Sequence, residues 1–241
     1  MIAILQFHPN DGPSTLATWL RARGVPFNLV DLHAGDALPK SLGGIHAIAA
    51  LGGPMSVNDA LPMLRDTEAL LRDALAHDVP VLGHCLGGQL LASALGARIR
   101  RNSQPEIGWH EVRLECVDRA RHWFGARESM HVFQWHYDTF DIPEGAARIA
   151  TNAHCANQAF CIGRSVGMQF HIEINLDTLD LWAEHGAPEL VALEDLPSVQ
   201  TITEQRADTA RHLATSQAIA AHMYERWLQD AGVLPIQPSP R

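Results

Sequence analysis

One cysteine stands between glycines where an apolar run passes into a helical pattern: Pro80-Val81-Leu82-Gly83-His84-Cys85-Leu86-Gly87-Gly88-Gln89-Leu90-Leu91. A sharp strand-to-helix turn holds its central residue in a strained backbone conformation, and small neighbours leave room for it. Such a turn lifts the Cys85 sulfur clear of the sheet and sets it at a helix start. There the unpaired N–H groups and the helix dipole favour the thiolate, the reactive form. The next N–H, from Leu86, is placed to face a developing oxyanion. The competing reading is a buried structural cysteine, the ordinary fate of a free thiol. Spacing argues against it: at this composition G-x-C-x-G-x-Q arises by chance about once in a thousand such chains.

A thiol nucleophile needs a base, and Gly167-Met168-Gln169-Phe170-His171-Ile172-Glu173 offers one. Residues two apart on a strand share a face, so a strand here points His171 and Glu173 the same way. The carboxylate then holds the imidazole in one tautomer while its other nitrogen faces the nucleophile. The chain has fourteen histidines, and a lone one in a strand is more often structural. His171 stands out because an acid and an elbow cysteine accompany it. Nucleophile, base and orienter are then all present.

Other motifs carry less. Gly163-Arg164-Ser165-Val166-Gly167 matches the G-x-S-x-G of serine hydrolases, but that elbow needs a helix after it and a strand-like run follows. A hairpin turn is the better reading. His131, His136 and His154 lack metal-ligand spacing and suit a pocket wall, so no metal is expected. No G-x-x-x-x-G-K-[ST] is present, and nothing speaks for nucleotide or any other cofactor. Glu194 and Asp195 read as solvated surface.

The elements that must position these groups follow from the apolar pattern. Ile2 to Phe7 reads as a buried strand. Ser14 is placed to cap a helix to Arg23, stopped by Gly24. Phe27 to Leu32 and Ile45 to Leu51 are further strands, the latter ending at Gly52-Gly53-Pro54-Met55. A helix from Pro62 to His77 precedes the strand of the elbow. This alternation predicts an α/β fold: a doubly wound, mostly parallel sheet with helices on both faces and ligands at the carboxyl ends of the strands. After Ala97, strand-like runs at Glu111–Cys116, Met130–Trp135, Arg148–Thr151, Ala159–Ile162 and Val166–Phe170 predict an added antiparallel hairpin region. Helices are expected near Asp177–His185 and Glu204–Gln229. Residues 1–230 read as a single domain and 231–241 as a loose tail, with three prolines from Val233 onward.

Composition narrows the class. The chain has 241 residues, 46% hydrophobic and 19% charged, ordinary values for one or two globular domains. A net charge of −9 argues against nucleic acid as a partner. Cys85, Cys116, Cys155 and Cys161 lack C-x-x-C spacing. The first residues lack the basic leader of a secretory signal, and no run reaches membrane-spanning length. A soluble, cytoplasmic protein is expected.

Three motifs in order, Gly52-Gly53-Pro54, Gly83-His84-Cys85-Leu86-Gly87-Gly88-Gln89 and Gln169-Phe170-His171-Ile172-Glu173, resemble those of class I glutamine amidotransferases. Glu106-Ile107-Gly108-Trp109 and Trp135-His136-Tyr137-Asp138-Thr139-Phe140 resemble the free-standing, GMP synthase-like branch. The resemblance spans about residues 1–185. It implies that Cys85 attacks the glutamine amide through a γ-glutamyl thioester, with His171 as base and Glu173 as its orienter. It implies an oxyanion hole from the N–H groups of Leu86 and Gly53. It implies head-group contacts from Gly52, Gln89 and the backbone of Trp135 and His136. Ile172 departs from the proline frequent in the family, and His84 and Gly88 from commoner residues. The expected function is ammonia release from glutamine for a partner synthase or acceptor subunit in trans. The rivals are a stand-alone hydrolase of γ-glutamyl amides or peptides, and a regulatory or binding protein without turnover.

Overall fold

The computed structural model describes residues 1–236. The remainder of the expected tail lies outside the described residues. Nine strands form one sheet in the order β2-β1-β3-β4-β9-β8-β7-β5-β6. Five of them run parallel: β2 (Phe27–Asp31), β1 (Ile2–Gln6), β3 (Ala47–Ala50), β4 (Val81–His84) and β9 (Ser165–Met168). From β9 outward the pairing is antiparallel through β8 (Ala159–Ile162), β7 (Ala147–Thr151), β5 (Ile99–Leu114) and β6 (Ser129–Phe140). The hairpin region thus extends the same sheet.

Alternation along β1 shows how both faces are covered. Ile2 and Ile4 pack with α1 (Ser14–Ala22), α4 (Val117–Phe124) and α6 (Ile202–Asp230). Ala3 and Leu5 pack against α2 (Pro62–Ala76) and α3 (Leu86–Ala94) on the opposite face. Strands buried on both faces are largely apolar, which is why β1, β3 and β4 read as short continuous runs, with only their end residues Gln6 and His84 polar. Each fully buried Leu or Phe in these layers contributes about 1.5–3 kcal/mol. No helix among the described residues is long and apolar enough to cross a membrane.

Several local expectations shift. Ser14 does not cap α1: Pro13 holds the N-cap position without a side-chain bond, and Ser14 Oγ instead accepts from Thr178. The strand expected at Glu111–Cys116 is the end of a much longer β5 that begins at Ile99. Its first half pairs only with β6, and β7 joins only at Arg113 and Leu114. A stretch without a second neighbour tolerates Arg100 to Pro105, whose polarity hid it. Cys116 has left the strand in a left-handed turn that starts the unforeseen α4. The final strand stops at Met168, short of Phe170. The late helices are longer than expected, α5 running from Leu176 to Leu193 and α6 to Asp230. α6 opens with a capping box, Thr201 and Glu204 satisfying each other's backbone N–H.

Candidate active site

The carboxyl ends of β3, β4 and β9 lie side by side, with Ala50 opposite Gly83 and His84 opposite Met168. Three chain segments therefore leave the sheet at one place. Cys85 follows β4 directly with φ of 46° and ψ of −106°, a conformation non-glycine residues rarely adopt. Its N–H donates to Met168 O at 2.9 Å, and Gly87 N–H donates to Leu51 O at 3.0 Å, fixing the elbow to both neighbouring strands. A side chain at Gly87 would overlap the Ala50 carbonyl, and one at Gly88 the Met168 carbonyl. The two glycines are there because α3 starts in contact with the sheet edge. As the first helical residue, Leu86 presents an N–H with no acceptor inside the helix.

His171 and Glu173 arrive from the neighbouring strand, but not by strand alternation. β9 has ended, and His171 is held by its N–H donating to Phe133 O at 2.8 Å across an isolated bridge to β6. Glu173 folds back on it, with Oε1 2.7 Å from His171 Nδ1 and Oε2 accepting the Ile172 N–H at 2.9 Å. The Glu173 carbonyl is tied to α1 by Thr15 N–H at 2.9 Å and Thr15 Oγ1 at 2.8 Å. A second ring, that of His84, places Nδ1 3.0 Å from Glu173 Oε2. Trp182 of α5 meets His171 edge-to-face at 4.7 Å. On the other side a Cβ at Gly52 would come within 2.9 Å of His171 Cε1. The imidazole is held from three directions.

Electrostatics follow from this packing. Burial opposes charge on both partners, yet the charges outweigh it. The Glu173 carboxylate together with hydrogen bonds to Cys85 and Glu173 holds His171 well above the usual imidazole range. The neighbouring rings of His84 and His171 hold Glu173 well below the usual carboxylate range. Asp11, from the loop after β1, shifts the other way. Burial raises it despite the charges of His171 and His8, with His8 Nδ1 3.2 Å away. Among the other thiols, burial pushes Cys155 up to about 11 and also raises Cys161.

A cavity of about 230 Å³ opens beside Cys85, lined by Gly53, Gln89, Trp135 and His136 among others. Of the expected substrate residues, Gln89, Trp135 and His136 line this cavity, whereas Gly52 lies against His171 and Asp11. Cys85 Sγ lies 3.8 Å from Trp135 O and 3.5 Å from Gln169 Nε2. Gln89 Nε2 donates to Asp138 O and to Gln169 Oε1, each at 3.2 Å. The His136 ring is turned away into a buried network, with Nε2 2.9 Å from Glu106 and Nδ1 3.0 Å from Asp138 O. Gly53 lies against Leu86, where a Cβ would be 2.9 Å from Leu86 Cδ2.

Other walls carried no sequence motif. Arg101 from β5 stacks over Tyr137 at 4.4 Å and lies 3.6 Å from Asp138. Glu189 from α5 lines the same cavity and a second one of about 210 Å³ reaching Asp11 and Trp182. Trp182, Gly186 and Glu189 share one helix face at i, i+4 and i+7 spacing, the one signal that would have found them. The serine motif is a hairpin turn: Ile162 pairs with Ser165, whose Oγ accepts the Val81 N–H at 2.9 Å. Among the described residues no three His, Cys, Asp or Glu side chains are grouped to hold a metal. His131 stacks flat on His212 at 4.0 Å, and His154 meets Gln104 at 3.1 Å.

Comparison with known proteins places the chain in a family. The model for "Glutamine amidotransferase class-I" matches residues 13–181. The glutamine amidotransferase-like protein YfeJ of Salmonella typhimurium is 28% identical over 78% of this chain and 82% of its own. A glutamine-hydrolysing GMP synthase of Aeropyrum pernix is 30% identical over 85% of this chain, which spans 40% of that longer protein. A crystal structure of a glutamine amidotransferase from Methylobacillus flagellatus superposes with a TM-score of 0.92. It is 38% identical and aligns over 95% of this chain and 94% of that one. The chain belongs to the class I glutamine amidotransferase family of enzymes.

Proposed function

We propose that this protein hydrolyses the side-chain amide of glutamine with Cys85 as nucleophile, His171 as base and acid, and Glu173 as the orienting carboxylate. Cys85 Sγ attacks the amide carbon while His171 takes the thiol proton and returns it to the departing nitrogen. Ammonia leaves, and water then cleaves the γ-glutamyl thioester with His171 as base. The N–H groups of Leu86 and Gly53 stabilise the oxyanion, and Gly52, Gln89 and the backbone of Trp135 and His136 hold the glutamyl group. The observation that carries this reading is the fully buried His171–Glu173 contact of 2.7 Å at the elbow of a strained cysteine beside a cavity. We further read the ammonia as passing to an acceptor site on a partner protein, on the similarity to a GMP synthase of which this chain spans 40%.

The second cavity favours a rival substrate. It meets the first at Gly53, Pro54, Trp135 and Glu189, leaving room for the amine half of a γ-glutamyl amide. One experiment addresses both readings: steady-state release of ammonia or amine from glutamine and from a γ-glutamyl amide panel, with mass-spectrometric trapping of the acyl-enzyme. Glutamine turnover with a γ-glutamyl adduct on Cys85 is the expected result. An adduct on another residue, or undiminished turnover by Cys85→Ala, refutes it. Fast unaided turnover of a γ-glutamyl amide with glutamine ignored removes the partner and keeps the nucleophile.

A further inference from the structure

His84, the last residue of β4, is fully buried, in a strand whose other side chains are apolar or absent. Neither of its ring nitrogens has an aligned hydrogen bond among the described residues. Burying an imidazole in that state is unfavourable, and a purely structural position here would favour another Val or Leu. Its recorded polar contact is the site itself, Nδ1 lying 3.0 Å from Glu173 Oε2 without meeting the geometry of an ordinary hydrogen bond. Glu173 Oε1 is already engaged with His171 at 2.7 Å. The carboxylate thus lies between two rings, one oxygen to each.

We propose that His84 is a positioning residue, an imidazole set on the second oxygen of Glu173 so that the carboxylate is divided between two rings. The role rests on the reading of His171 as the base. Its direction is the same for the imidazolium and for the neutral Nδ1–H tautomer of His84. As a cation it offsets Glu173 and repels the His171 imidazolium; as a neutral Nδ1–H it takes up part of the charge on Oε2. Both weaken the hold of Glu173 on the His171 proton and ease its transfer to the departing nitrogen. The other titratable groups around the pair are Cys85 at the elbow, Asp11 with its partner His8 in the loop after β1, and Tyr224 of α6 near Glu173. Those outside the elbow stay constant when only residue 84 changes.

The test follows the His171 ring by NMR through a pH titration in a Cys85→Ala background, its signal assigned by loss in His171→Gln. In His84→Leu the midpoint is expected to rise by about one pH unit. His84→Phe, which keeps the ring shape without the nitrogens, carries the same expectation should the Leu variant fail to fold. His84→Gln, whose amide can still reach Oε2, is expected to return the midpoint at least halfway. A midpoint unmoved in a folded Leu or Phe variant overturns the proposal, because a core residue would change stability alone. Assays of the same variants with Cys85 restored keep the two readings apart. A shifted midpoint without glutamine turnover in the parent chain supports the His84 role and refutes the proposed function. Turnover with an unmoved midpoint does the reverse.

Discussion

Glu106 and Glu173 are both buried, and each holds a histidine side chain at hydrogen-bond distance. Burial works against the charge of both, and in both the neighbours prevail and keep the carboxylate anionic. Each direct partner of Glu106 is engaged. Its oxygens accept from Gln158 at 2.7 Å and from Asn152, and both His136 nitrogens face oxygens. Around Glu173 the second ring, His84, has no aligned bond, and the free side of His171 faces a thiol. A saturated network fixes the hairpin β5–β6 in place. An unsaturated one leaves a nitrogen available to move a proton. The two pairs share their chemistry, and the count of unclaimed lone pairs and protons separates scaffold from site.

The comparison breaks most visibly when each pair loses one member. On the proposed mechanism His171→Ala is expected to lower kcat on glutamine on the order of 10⁴-fold, since a nucleophile and its base act as a unit. Glu106→Gln is expected to leave kcat of the folded protein within a few-fold and to destabilise it by about 3 kcal/mol, as for a broken buried pair. That corresponds to a melting temperature about 6–12 °C lower for a chain of this size. Steady-state assays paired with calorimetry read both. A Glu106→Gln enzyme that loses turnover without losing stability would reverse the assignment of scaffold and site.

The pH dependence of stability sharpens the same contrast. Glu106 titrates below its ordinary range in the folded state, so its contribution is complete above that range and is lost as pH falls through the lowered value. His171 is raised, so its contribution is complete below its ordinary range and is lost as pH rises through the raised value. Urea unfolding across pH is expected to show the Glu106→Gln deficit at its largest near neutrality and shrinking below about pH 4. The deficit of His171→Ala is expected to shrink in the opposite direction, above neutrality. A Glu106→Gln deficit that grows in acid would mean that Glu106 is neutral in the folded protein.

Much of this was legible in residue types, because the parallel half of the sheet is locally encoded. Runs such as Ile2–Leu5 and Val81–Gly83 are apolar as strands buried on both faces are, and the glycines around Cys85 mark a turn that must be tight. The pairing of His171 with Glu173 was legible too, although for a reason that does not hold. They meet because the chain bends back after β9, with Ile172 N–H bridging to Glu173, and not because a strand alternates. Arg101, Trp182 and Glu189 were not legible, since they come from the polar start of β5 and from α5. Those segments reach the cavity only through tertiary packing, and the shared helix face of Trp182 and Glu189 marks a stripe without saying what it faces. His84 was visible only as an unusual residue in a motif. Its place beside Glu173 needs β4 and the bend after β9 in register, and that exists only once the sheet has formed.

The smallest expected effect concerns the bend itself. Ile172 is fully buried, and its N–H donates to Glu173 Oε2 at 2.9 Å, the oxygen His84 also approaches. Proline at this position removes the donor and trims the apolar side chain. Ile172→Pro is expected to cost about 1–2 kcal/mol, from one charge-assisted hydrogen bond and little lost area. Turnover is expected to stay within about threefold, because a shift of this size in the orienter leaves nucleophile and base in place. The oxygen keeps His84 as its remaining neighbour, which makes the substitution tolerable in this chain. Removing both should then exceed the sum of the single losses by about 1 kcal/mol, since contacts on one atom are coupled. Urea unfolding of Ile172→Pro, His84→Leu and the double variant measures that excess. Strict additivity would mean that the two groups do not share Glu173, and that the second oxygen is held by the backbone alone.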